Sequence, residues 1–429
     1  MKKVSIFWFR RDLRIEDNHG LFRALSANHP VLPLFIFDKN ILDRLPSKTD
    51  GRVEFIHQAL VRINEKIGGH LCVKQGNPLD IFSDLLSEYH VVKIYTNHDY
   101  EKYGIERDAK ITELALKNGV EFESFKDQVI FEKEEVLSGA GTPYTVFTPY
   151  SRKWKSLLQE NPFTHYTSDS VNNYISDTFS IPSLAEIGFQ PSGLLFPAMN
   201  VADDLIKSYA QDRDFPAKPG TSRLSVHLRF GTISIRSLVR KAVGKSDVWL
   251  NELIWRDFYF NILHHFPHIS EGHSFRKEYD RMNWRNNEEE FKAWCEGRTG
   301  YPIVDAGMRE LNASGFMHNR VRMIVASFLV KHLLIDWRWG EAYFAEKLLD
   351  FDFAANNGGW QWAAGSGCDA APYFRVFNPT LQTQKFDQSL AYIKKWVPEL
   401  QELTYPAPLV NHEFARARVL EAYKLALGK

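Results

Sequence analysis

The sequence predicts an α/β domain built on a doubly wound parallel sheet, joined by a long connector to a C-terminal all-helical domain. Up to about residue 128, short apolar runs alternate with segments whose apolar residues recur at helical spacing. That alternation is typical of strands and helices arranged around a parallel sheet. From about residue 196 the apolar spacing is helical to the end of the chain. A chain of 429 residues is long enough for two or three such domains.

Four apolar runs predict the buried strands of the first domain, which spans residues 1–128. They are VSIFWF (4–9), VLPLFIF (31–37), HLCVK (70–74) and VVKIYTN (91–97). Helix-patterned segments such as EFIHQALVRINEKI lie between them, so we expect a Rossmann-like sheet. FRRDLRIEDN follows the first strand where a G-x-G-x-x-G turn would mark a dinucleotide site, so a site of that type is not expected.

The middle of the chain, residues 129–195, has scattered Ser, Thr, Asn and Pro and weak periodicity. A stretch this long without a clear pattern predicts an inter-domain connector that lies over the surface. The helical domain then covers residues 196–429. Its clearest helices are VWLNELIWRDFYFNILHHF and NRVRMIVASFLVKHLLIDW.

Composition excludes several classes of protein. Apolar residues make up 44% of the chain and charged residues 25%, which is typical of a soluble globular protein. No run approaches eighteen apolar residues, so no membrane span is expected, and the charges of RRDLR interrupt any signal-peptide core. The three cysteines lie far apart with no histidine at ligand spacing, so we expect no metal site and no disulfide, which fits the cytoplasm. We also expect a monomer.

Two helices of the second domain carry polar and aromatic residues on one face. In the helix 249–264, Glu252, Trp255, Arg256 and Tyr259 fall at i, i+3, i+4 and i+7. Such a face is either a solvated one with a salt bridge or the wall of a ligand site. In the helix that starts near Met317, Asn319 and Met323 share a face, although a Met at helical spacing is more often part of the core.

Two further segments have sequences that are consistent with a ligand site. PGTSRLSVHLRFG, from Pro219, places hydroxyl residues and an arginine at a helix start, which is either an anion site or an ordinary N-cap. The stretch Asn356–Pro379 (NNGGWQWAAGSGCDAAPYFRVFNP) does not follow a plain helical pattern. Its glycines weaken a helix but let the backbone approach a flat ligand, so a Gly-rich loop with packed tryptophans and a cofactor site are both consistent with it.

The stretch Asn356–Pro379 resembles the flavin-pocket signature of the photolyase/cryptochrome family. The resemblance covers nearly the whole chain, from FWFRRDLRIEDN to the KFD and PEL elements near the C-terminus. The AAPYFRVFNP tail is similar to that of bacterial class I cyclobutane pyrimidine dimer (CPD) photolyases. The resemblance implies bound FAD and light-driven repair of cis-syn pyrimidine dimers in UV-damaged DNA, by electron transfer from excited reduced FAD.

The family also contains cryptochrome photoreceptors and (6-4) photolyases, which are the alternative functions. Asn319 and Met323 stand where (6-4) photolyases carry a pair of histidines, which favours cyclobutane dimers as the substrate. Asn356 stands where plant cryptochromes carry an Asp, which favours repair over signalling. Signalling relatives also commonly carry a C-terminal extension, and the sequence shows none beyond FARARVLEAYKLAL.

The resemblance implies roles on the two sides of a pocket. On the lesion side it implies Glu252 hydrogen-bonded to the dimer bases and Trp255 stacked on them, together with Asn319, Met323 and Trp362. Asn356 matches the residue opposite flavin N5, where an amide can donate to the reduced flavin without losing a proton. For the cofactor the implied contacts are Tyr209, Thr221, Ser222, Arg223, Leu224, Ser225, Trp249, Glu252, Arg256, Arg322, Asp350, Asp352 and Asn356.

The resemblance also implies residues that move electrons and hold DNA. Trp360, Trp337 and Trp284 match the chain of three tryptophans that re-reduces oxidised flavin from the surface. The implied DNA contacts are Arg213, Trp255, Arg320, Trp362 and Lys385. Because the formal net charge is zero, these cations must be concentrated near the pocket, with acids such as Glu288 to Glu290 elsewhere.

A second, antenna chromophore is the least defined of the implied ligands. Glu101, after the fourth strand, matches a carboxylate that holds methenyltetrahydrofolate in some relatives. Ser270 and Glu271 stand where those relatives have Cys and Lys against the folate. The antenna is therefore left open between folate, a deazaflavin, a flavin and none.

Overall fold

The computed structural model describes residues 3–428, which form two compact units. The sheet unit consists of residues 3–135, 153–200 and 223–244, and the helical unit of residues 136–152, 201–222 and 245–428. Each unit therefore takes part of the stretch that the sequence predicts as a connector. The boundaries at residues 128 and 195 stay predictions.

Five parallel strands form the sheet in the order β3-β2-β1-β4-β5. Their bounds are β1 Lys3–Phe9, β2 Val31–Asp38, β3 Cys72–Gly76, β4 His90–Asn97 and β5 Glu121–Phe125. The sheet confirms the predicted fold class and the four predicted strands. Strand β5 was not predicted, because EFESF is short and carries two glutamates. A buried parallel strand is expected to be apolar on both faces, and β1 is buried from Val4 to Phe9.

Eighteen α-helices lie within the described residues, and they are numbered in chain order. The bounds are α1 His19–Leu25, α2 Lys39–Leu42, α3 Gly51–Lys66, α4 Pro78–Glu88, α5 Lys102–Lys117, α6 Phe147–Glu160, α7 Asp203–Asp212, α8 Ser225–Phe230, α9 Ile235–Ala242, α10 Asp247–His265, α11 Glu288–Cys295, α12 Pro302–Ser314, α13 Asn319–Ser327, α14 Trp337–Lys347, α15 Phe353–Ala364, α16 Pro379–Phe386, α17 Ala391–Trp396 and α18 His412–Leu427. A π-helical turn, Phe328–His332, continues α13. The predicted helical domain is confirmed.

Helix α6 lies inside the stretch that the sequence predicts to be without a clear pattern, so that expectation is wrong for residues 147–160. Phe147, Tyr150 and Trp154 are all buried and fall at i, i+3 and i+7. This is ordinary helical spacing. The interspersed Thr, Pro, Ser and Lys concealed it, and Pro149 is tolerated because it lies in the first turn.

Helix α15 is regular, although the sequence of Asn356–Pro379 does not predict a plain helix. Asp352 caps its start by accepting hydrogen bonds from the N–H groups of Ala354 and Ala355, and Gly365 ends it in the left-handed region at φ 83°. Gly358 is required by packing, because a Cβ there would lie 2.2 Å from Cε1 of Tyr259 in α10. The glycine therefore allows close helix packing.

Candidate functional site

A cavity of about 370 Å³ lies within the helical unit, between α10, α13, α15 and the segment that joins α14 to α15. It brings together eleven of the side chains for which the family resemblance implies a role. They are Arg213, Glu252, Trp255, Asn319, Arg322, Met323, Asp350, Asp352, Asn356, Trp360 and Trp362. Residues implied for the lesion side and for the cofactor side therefore line one and the same cavity.

Helix α10 supplies one wall of the cavity. Ser246 caps the helix through a hydrogen bond from the Trp249 N–H, and Glu252, Trp255 and Tyr259 then face the cavity one turn apart. The face predicted at helical spacing is thus a cavity wall rather than a solvated surface. Arg256 does not line the cavity, and its guanidinium lies 4.8 Å from the ring centroid of Phe260.

Two residues implied for the cofactor lie away from the lining of this cavity. Trp249 is buried at the start of α10, with 3% of its surface exposed. Tyr209 in α7 is half-buried, and burial raises the pKa of its phenol, so this hydroxyl stays protonated at neutral pH. The guanidinium of Arg213, which follows α7, lies 5.7 Å from the ring centroid of Tyr209.

The carboxylate of Glu252 is paired with a cation inside the cavity. Arg213 donates a hydrogen bond from Nη1 to Oε1 of Glu252. Burial raises the pKa of Glu252, while the guanidinium of Arg213 acts in the opposite direction. A residue implied to bind a DNA phosphate and a residue implied to bind the dimer bases are therefore partners of each other in this structure.

Arg320, another predicted DNA contact, is paired with Asp214, an aspartate absent from the sequence-based predictions. Asp214 Oδ1 accepts a hydrogen bond from Arg320 Nη2 at 2.9 Å and lies 4.0 Å from Arg213 Nε. The guanidinium of Arg320 and the ammonium of Lys385 lie 4.3 and 5.2 Å from the ring centroid of Phe386. The expected separation of acids from these cations is therefore incomplete. The adjacency of Arg213 and Asp214 in the sequence was the available signal.

Helix α13 and the segment before α15 contribute to the cavity an arginine–aspartate pair with spare hydrogen-bonding capacity. Arg322 Nη2 donates to Asp350 Oδ2 at 2.8 Å, and Arg322 Nε donates to the carbonyl of Met317 at 2.8 Å. The second carboxylate oxygen of Asp350 is buried without a hydrogen-bond partner. Nε1 of Trp360, which also lines the cavity, is buried without a partner too. Buried polar atoms are normally paired, so both atoms are suited to a ligand.

Asn356 is held by Glu341, a residue absent from the sequence-based predictions. Asn356 Nδ2 donates to the backbone carbonyl of Glu341 at 3.1 Å, which leaves its Oδ1 and one N–H for the cavity. The Glu341 side chain accepts a hydrogen bond from Asn357 Nδ2 at 3.0 Å, and Asn357 in turn accepts from Gln361 Nε2 at 2.9 Å. Burial raises the pKa of Glu341 to about 7.

The three predicted relay tryptophans belong to one hydrophobic cluster. Trp360 and Trp337 are 2% and 1% exposed, whereas Trp284 is partly exposed at the edge of the cluster. Trp360 contacts α14 at Gly340, where an added Cβ would lie 2.1 Å from the indole Cη2. The relay itself stays a prediction, supported by a cavity-lining tryptophan at one end and a partly exposed one at the other.

The segment predicted to bind the cofactor diphosphate is divided between the two units. Thr221 and Ser222 belong to the helical unit, whereas Arg223, Leu224 and Ser225 belong to the sheet unit. Arg223 has a positive φ of 51°, and Leu224 precedes α8 without a side-chain cap. Since the diphosphate role is implied by resemblance only, it stays a prediction.

The sheet unit contains a second cavity, of about 270 Å³, beyond the carboxyl ends of β2 and β3. Its lining includes three cations and a phenol, from Arg44, Arg107, Lys110 and Tyr103. Glu101, the residue implied for folate, is not part of that lining. Its carboxylate accepts hydrogen bonds from Arg11 Nη1 at 2.8 Å and Arg229 Nη1 at 2.9 Å.

Between residues 3 and 428 no helix is both long and apolar enough to cross a membrane. Over the same residues, no three His, Cys, Asp or Glu side chains are grouped so that they could hold a metal ion.

A parallel-sheet unit, a helical unit and a tryptophan-lined cavity in the latter are the architecture of flavin-dependent photolyases and cryptochromes. A family model for DNA photolyase matches residues 5–167, and one for the FAD binding domain of DNA photolyase matches residues 249–404. The chain belongs to the DNA photolyase family, and it is an enzyme of that family with an FAD-binding domain.

Relatives and solved structures agree with this family over the full length. A deoxyribodipyrimidine photo-lyase of Synechococcus sp. is 37% identical, covering 99% of this chain and 97% of the relative. The structure of a bacterial class III photolyase from Agrobacterium tumefaciens is 34% identical with a TM-score of 0.89, covering 100% of this chain and 98% of the other. An archaeal photolyase from Sulfolobus tokodaii, solved with two FAD molecules, is 36% identical with a TM-score of 0.85, covering 98% and 100%.

The cavity residues fit FAD. An isoalloxazine ring carries both N–H donors and carbonyl acceptors on its edge, and the cavity offers the unpaired Asp350 Oδ1 and Trp360 Nε1 as well as the Asn356 amide. Gly359 leaves open space where a larger residue would fill the cavity, because a Cβ there would meet nothing within 4 Å. A flat cofactor with a polar edge suits these side chains.

Proposed function

We propose that this enzyme repairs cis-syn cyclobutane pyrimidine dimers in DNA, in a light-driven reaction with FAD as the electron donor. The observation that carries the proposal is the shared cavity. Glu252 and Trp255 line it from α10, while Asn356 lines it from α15 and the Arg322–Asp350 pair from α13 and the segment before α15. When bound in its reduced form, FAD supplies an electron to the dimer on absorbing light and takes it back once the cyclobutane ring has opened.

The side chains of the chain itself bind and orient the lesion. A dimer must leave the DNA stack to enter the cavity, at a cost of a few kcal/mol that is smallest for a distorted, badly stacked base pair. The indoles of Trp255 and Trp362 offer flat apolar surfaces to the extruded bases. Glu252 accepts hydrogen bonds from base N–H groups, and its pairing with Arg213 opposes the rise in its pKa that burial causes.

Asn319 and Met323 favour cyclobutane dimers over (6-4) products as the substrate. Both residues line the cavity, and Met323 Sδ lies 3.8 Å from Arg320 Nη1 as a weak acceptor. The (6-4) photolyases have histidines at these positions. An amide and a thioether do not titrate near neutral pH, so neither side chain replaces a histidine as a proton donor.

The test uses the FAD-loaded protein with an oligonucleotide that carries one thymine dimer. Blue light should restore thymine absorbance when the flavin is chemically reduced beforehand, and the dark control should not change. A matched oligonucleotide with a (6-4) product should stay unrepaired. Efficient repair of the (6-4) product, or no repair of the dimer with fully reduced flavin, would contradict the proposal.

For DNA binding we propose Arg213, Arg320 and Lys385 as phosphate contacts at the rim of the same cavity. Arg213 lines the cavity, and Arg320 and Lys385 share contact with the ring of Phe386. Phosphate contacts of this kind position a duplex without selecting its sequence. Binding should therefore weaken with salt, with a log–log slope of about −0.9 for each phosphate neutralised.

For the antenna we propose an anionic aromatic chromophore, a flavin or deazaflavin derivative, in the cavity of the sheet unit. Arg44 and Lys110 offer positive charge there beside Glu106, Arg107 is already paired with Asp99 and Asp108, and Tyr103 offers a ring. Glu101 is occupied by two arginines, which makes it a poor folate ligand. Arg44→Ala should remove the absorbance of a second chromophore while the FAD content stays unchanged. Loss of a folate spectrum in Glu101→Ala, with Arg44→Ala normal, would contradict it.

A further inference from the structure

One face of the Trp255 indole is covered by another ring. Phe147, the first residue of α6, lies parallel to Trp255 with ring centroids 3.7 Å apart and planes inclined by only 3°. Phe147 is 9% exposed and comes from the stretch that the sequence predicts as a connector. Tyr259 meets Trp255 in a tilted contact at 5.5 Å, so it does not cover the opposite face.

Phe147 is fixed in this position from two directions. Its backbone N–H, one of the unsatisfied donors at a helix start, donates to Asp369 Oδ2 at 3.1 Å. One turn further along, the buried ring of Tyr150 packs on Phe258 at 5.1 Å, and Phe147 meets the same Phe258 edge-on at 5.9 Å. Residues spaced i, i+3 on α6 therefore pack against Trp255 and Phe258, which are spaced i, i+3 on α10.

The stack has a direct consequence for Trp255. A base that entered between the two rings would need about 3.5 Å on each side, so the rings would have to separate to about twice their present spacing. Only the cavity-facing side of the indole is therefore available. An unsupported tryptophan would also lose rotamer freedom on binding, whereas a ring already held by Phe147 loses little.

We infer that Phe147 is a positioning residue for lesion recognition, which holds the plane of Trp255 and leaves one face free for a single extruded base. The inference rests on the proposed function, because it assigns the free face to a base of the dimer. Asp369 supports Phe147 through the start of α6. Neither residue is itself part of the cavity lining, so Phe147 acts through its contact with Trp255, and Asp369 acts through Phe147.

The test measures, in the dark, the affinity of the full-length protein for a dimer-containing duplex and for the same duplex without damage. Loss of one base–aromatic stack lowers the affinity by about 5- to 150-fold. Phe147→Ala should therefore lower the preference for damaged DNA by at least about 5-fold. Phe147→Tyr keeps a flat ring and should restore the wild-type preference. Phe147→Leu keeps apolar volume without a flat face and provides a folded variant if Phe147→Ala is unstable.

Double substitution separates positioning from a general loss of structure. In a Trp255→Ala background, Phe147→Ala should have no further effect on the preference, because its only route is through Trp255. Phe163→Ala, at a half-buried phenylalanine three residues after α6 that packs against Arg240, is the matched control. An equal loss of preference with and without Trp255 would overturn the inference.

A second measurement does not depend on DNA. With 5-fluorotryptophan incorporated, the ¹⁹F resonance of Trp255, assigned by its absence from Trp255→Phe, should shift and broaden in Phe147→Ala and not in Phe163→Ala. The inference alone would be overturned if the Trp255 resonance did not change in Phe147→Ala. It would also be overturned if Phe147→Ala kept the full preference for damaged DNA that the wild-type protein shows. Absence of any preference in the wild-type protein would overturn the proposed function and this inference with it.

Discussion

Replacing Asp214 by asparagine tests how this chain binds DNA with no net charge. Asp214 accepts a hydrogen bond from Arg320 at 2.9 Å and lies 4.0 Å from Nε of Arg213. Nη1 of the same arginine donates to Glu252. The four side chains alternate in sign and sum to zero. A DNA phosphate that approaches either arginine must therefore compete with a carboxylate already in place.

The size of the effect follows from the exposure of these pairs. The side chains of Asp214 and Arg320 are 39% and 16% exposed, so the pairing is screened by water. Ion pairs of this kind contribute about 0.2–1 kcal/mol each. Asp214→Asn removes the negative charge that faces two guanidinium groups, so it should strengthen DNA binding by about 2- to 30-fold. If an arginine gains a phosphate, the log–log salt slope becomes steeper by up to about 0.9.

The assay is a titration of damaged and undamaged duplexes in the dark, at several salt concentrations. Both duplexes should bind Asp214→Asn more tightly by the same factor, because phosphate contacts carry no information about the bases. Glu113→Gln changes the net charge equally at an exposed pair with Lys117 and should have no such effect. Weaker binding by Asp214→Asn would refute the reasoning, since it would mean that Asp214 holds the arginines in their DNA-binding positions.

Three further outcomes are expected. Trp337→Phe should abolish photoreduction of oxidised flavin by an external donor, measured by absorbance, while repair by chemically pre-reduced enzyme survives, because the relay is outside the repair cycle. Glu252→Ala should lower the yield of dimer repair per absorbed photon while FAD stays bound, because it removes an acceptor for the bases. Glu341→Gln should stabilise the protein at pH 8 but not at pH 4.5. The free energy of unfolding of the wild type falls by up to about 3 kcal/mol as the pH rises from 4.5, the ordinary pKa of a glutamate, to the folded-state pKa of about 7. It falls because Glu341 ionises at lower pH in the unfolded chain than in the folded protein. Thermal unfolding across this pH range measures the difference.

Each of these outcomes has a result that would contradict it. Unchanged photoreduction in Trp337→Phe would show that another path carries the electron. Loss of FAD from Glu252→Ala would make this residue a cofactor ligand first. A stability difference between Glu341→Gln and the wild type that does not change with pH would mean that Glu341 does not titrate in this range, since glutamine still accepts the hydrogen bond from Asn357.

The fold was predictable from the sequence wherever apolar spacing was strong. The four apolar runs predicted as strands are strands of the parallel sheet, and the helical spacing after residue 196 corresponds to the helical unit. Strand β5 was missed because a short run at the sheet edge carries charge. Helix α6 was missed because its spacing of Phe147, Tyr150 and Trp154 was hidden among polar residues and a proline.

The candidate site was predictable only in part, and mostly through the family resemblance. Eleven of the implied residues line one cavity, but their roles, the DNA contacts and the CPD class I subdivision stay predictions, as do a monomeric state and a cytoplasmic location. Asp214, Glu341 and Phe147 were missed for a common physical reason. Each acts on a residue far along the chain or through its own backbone, and the one local signal was the adjacency of Asp214 to Arg213.

The adjacent glycines of α15, Gly358 and Gly359, differ in the space around them, and this makes Gly359 suitable as a labelling site. Any side chain at Gly358 would collide with Tyr259, whereas a Cβ at Gly359 points into open cavity space. The native cysteines, Cys72, Cys295 and Cys368, are all buried. A Gly359→Cys substitution would thus give the protein a single reachable thiol inside its cavity. The rate at which a small alkylating reagent labels that thiol would report occupancy of the cavity by footprinting, without light and without turnover.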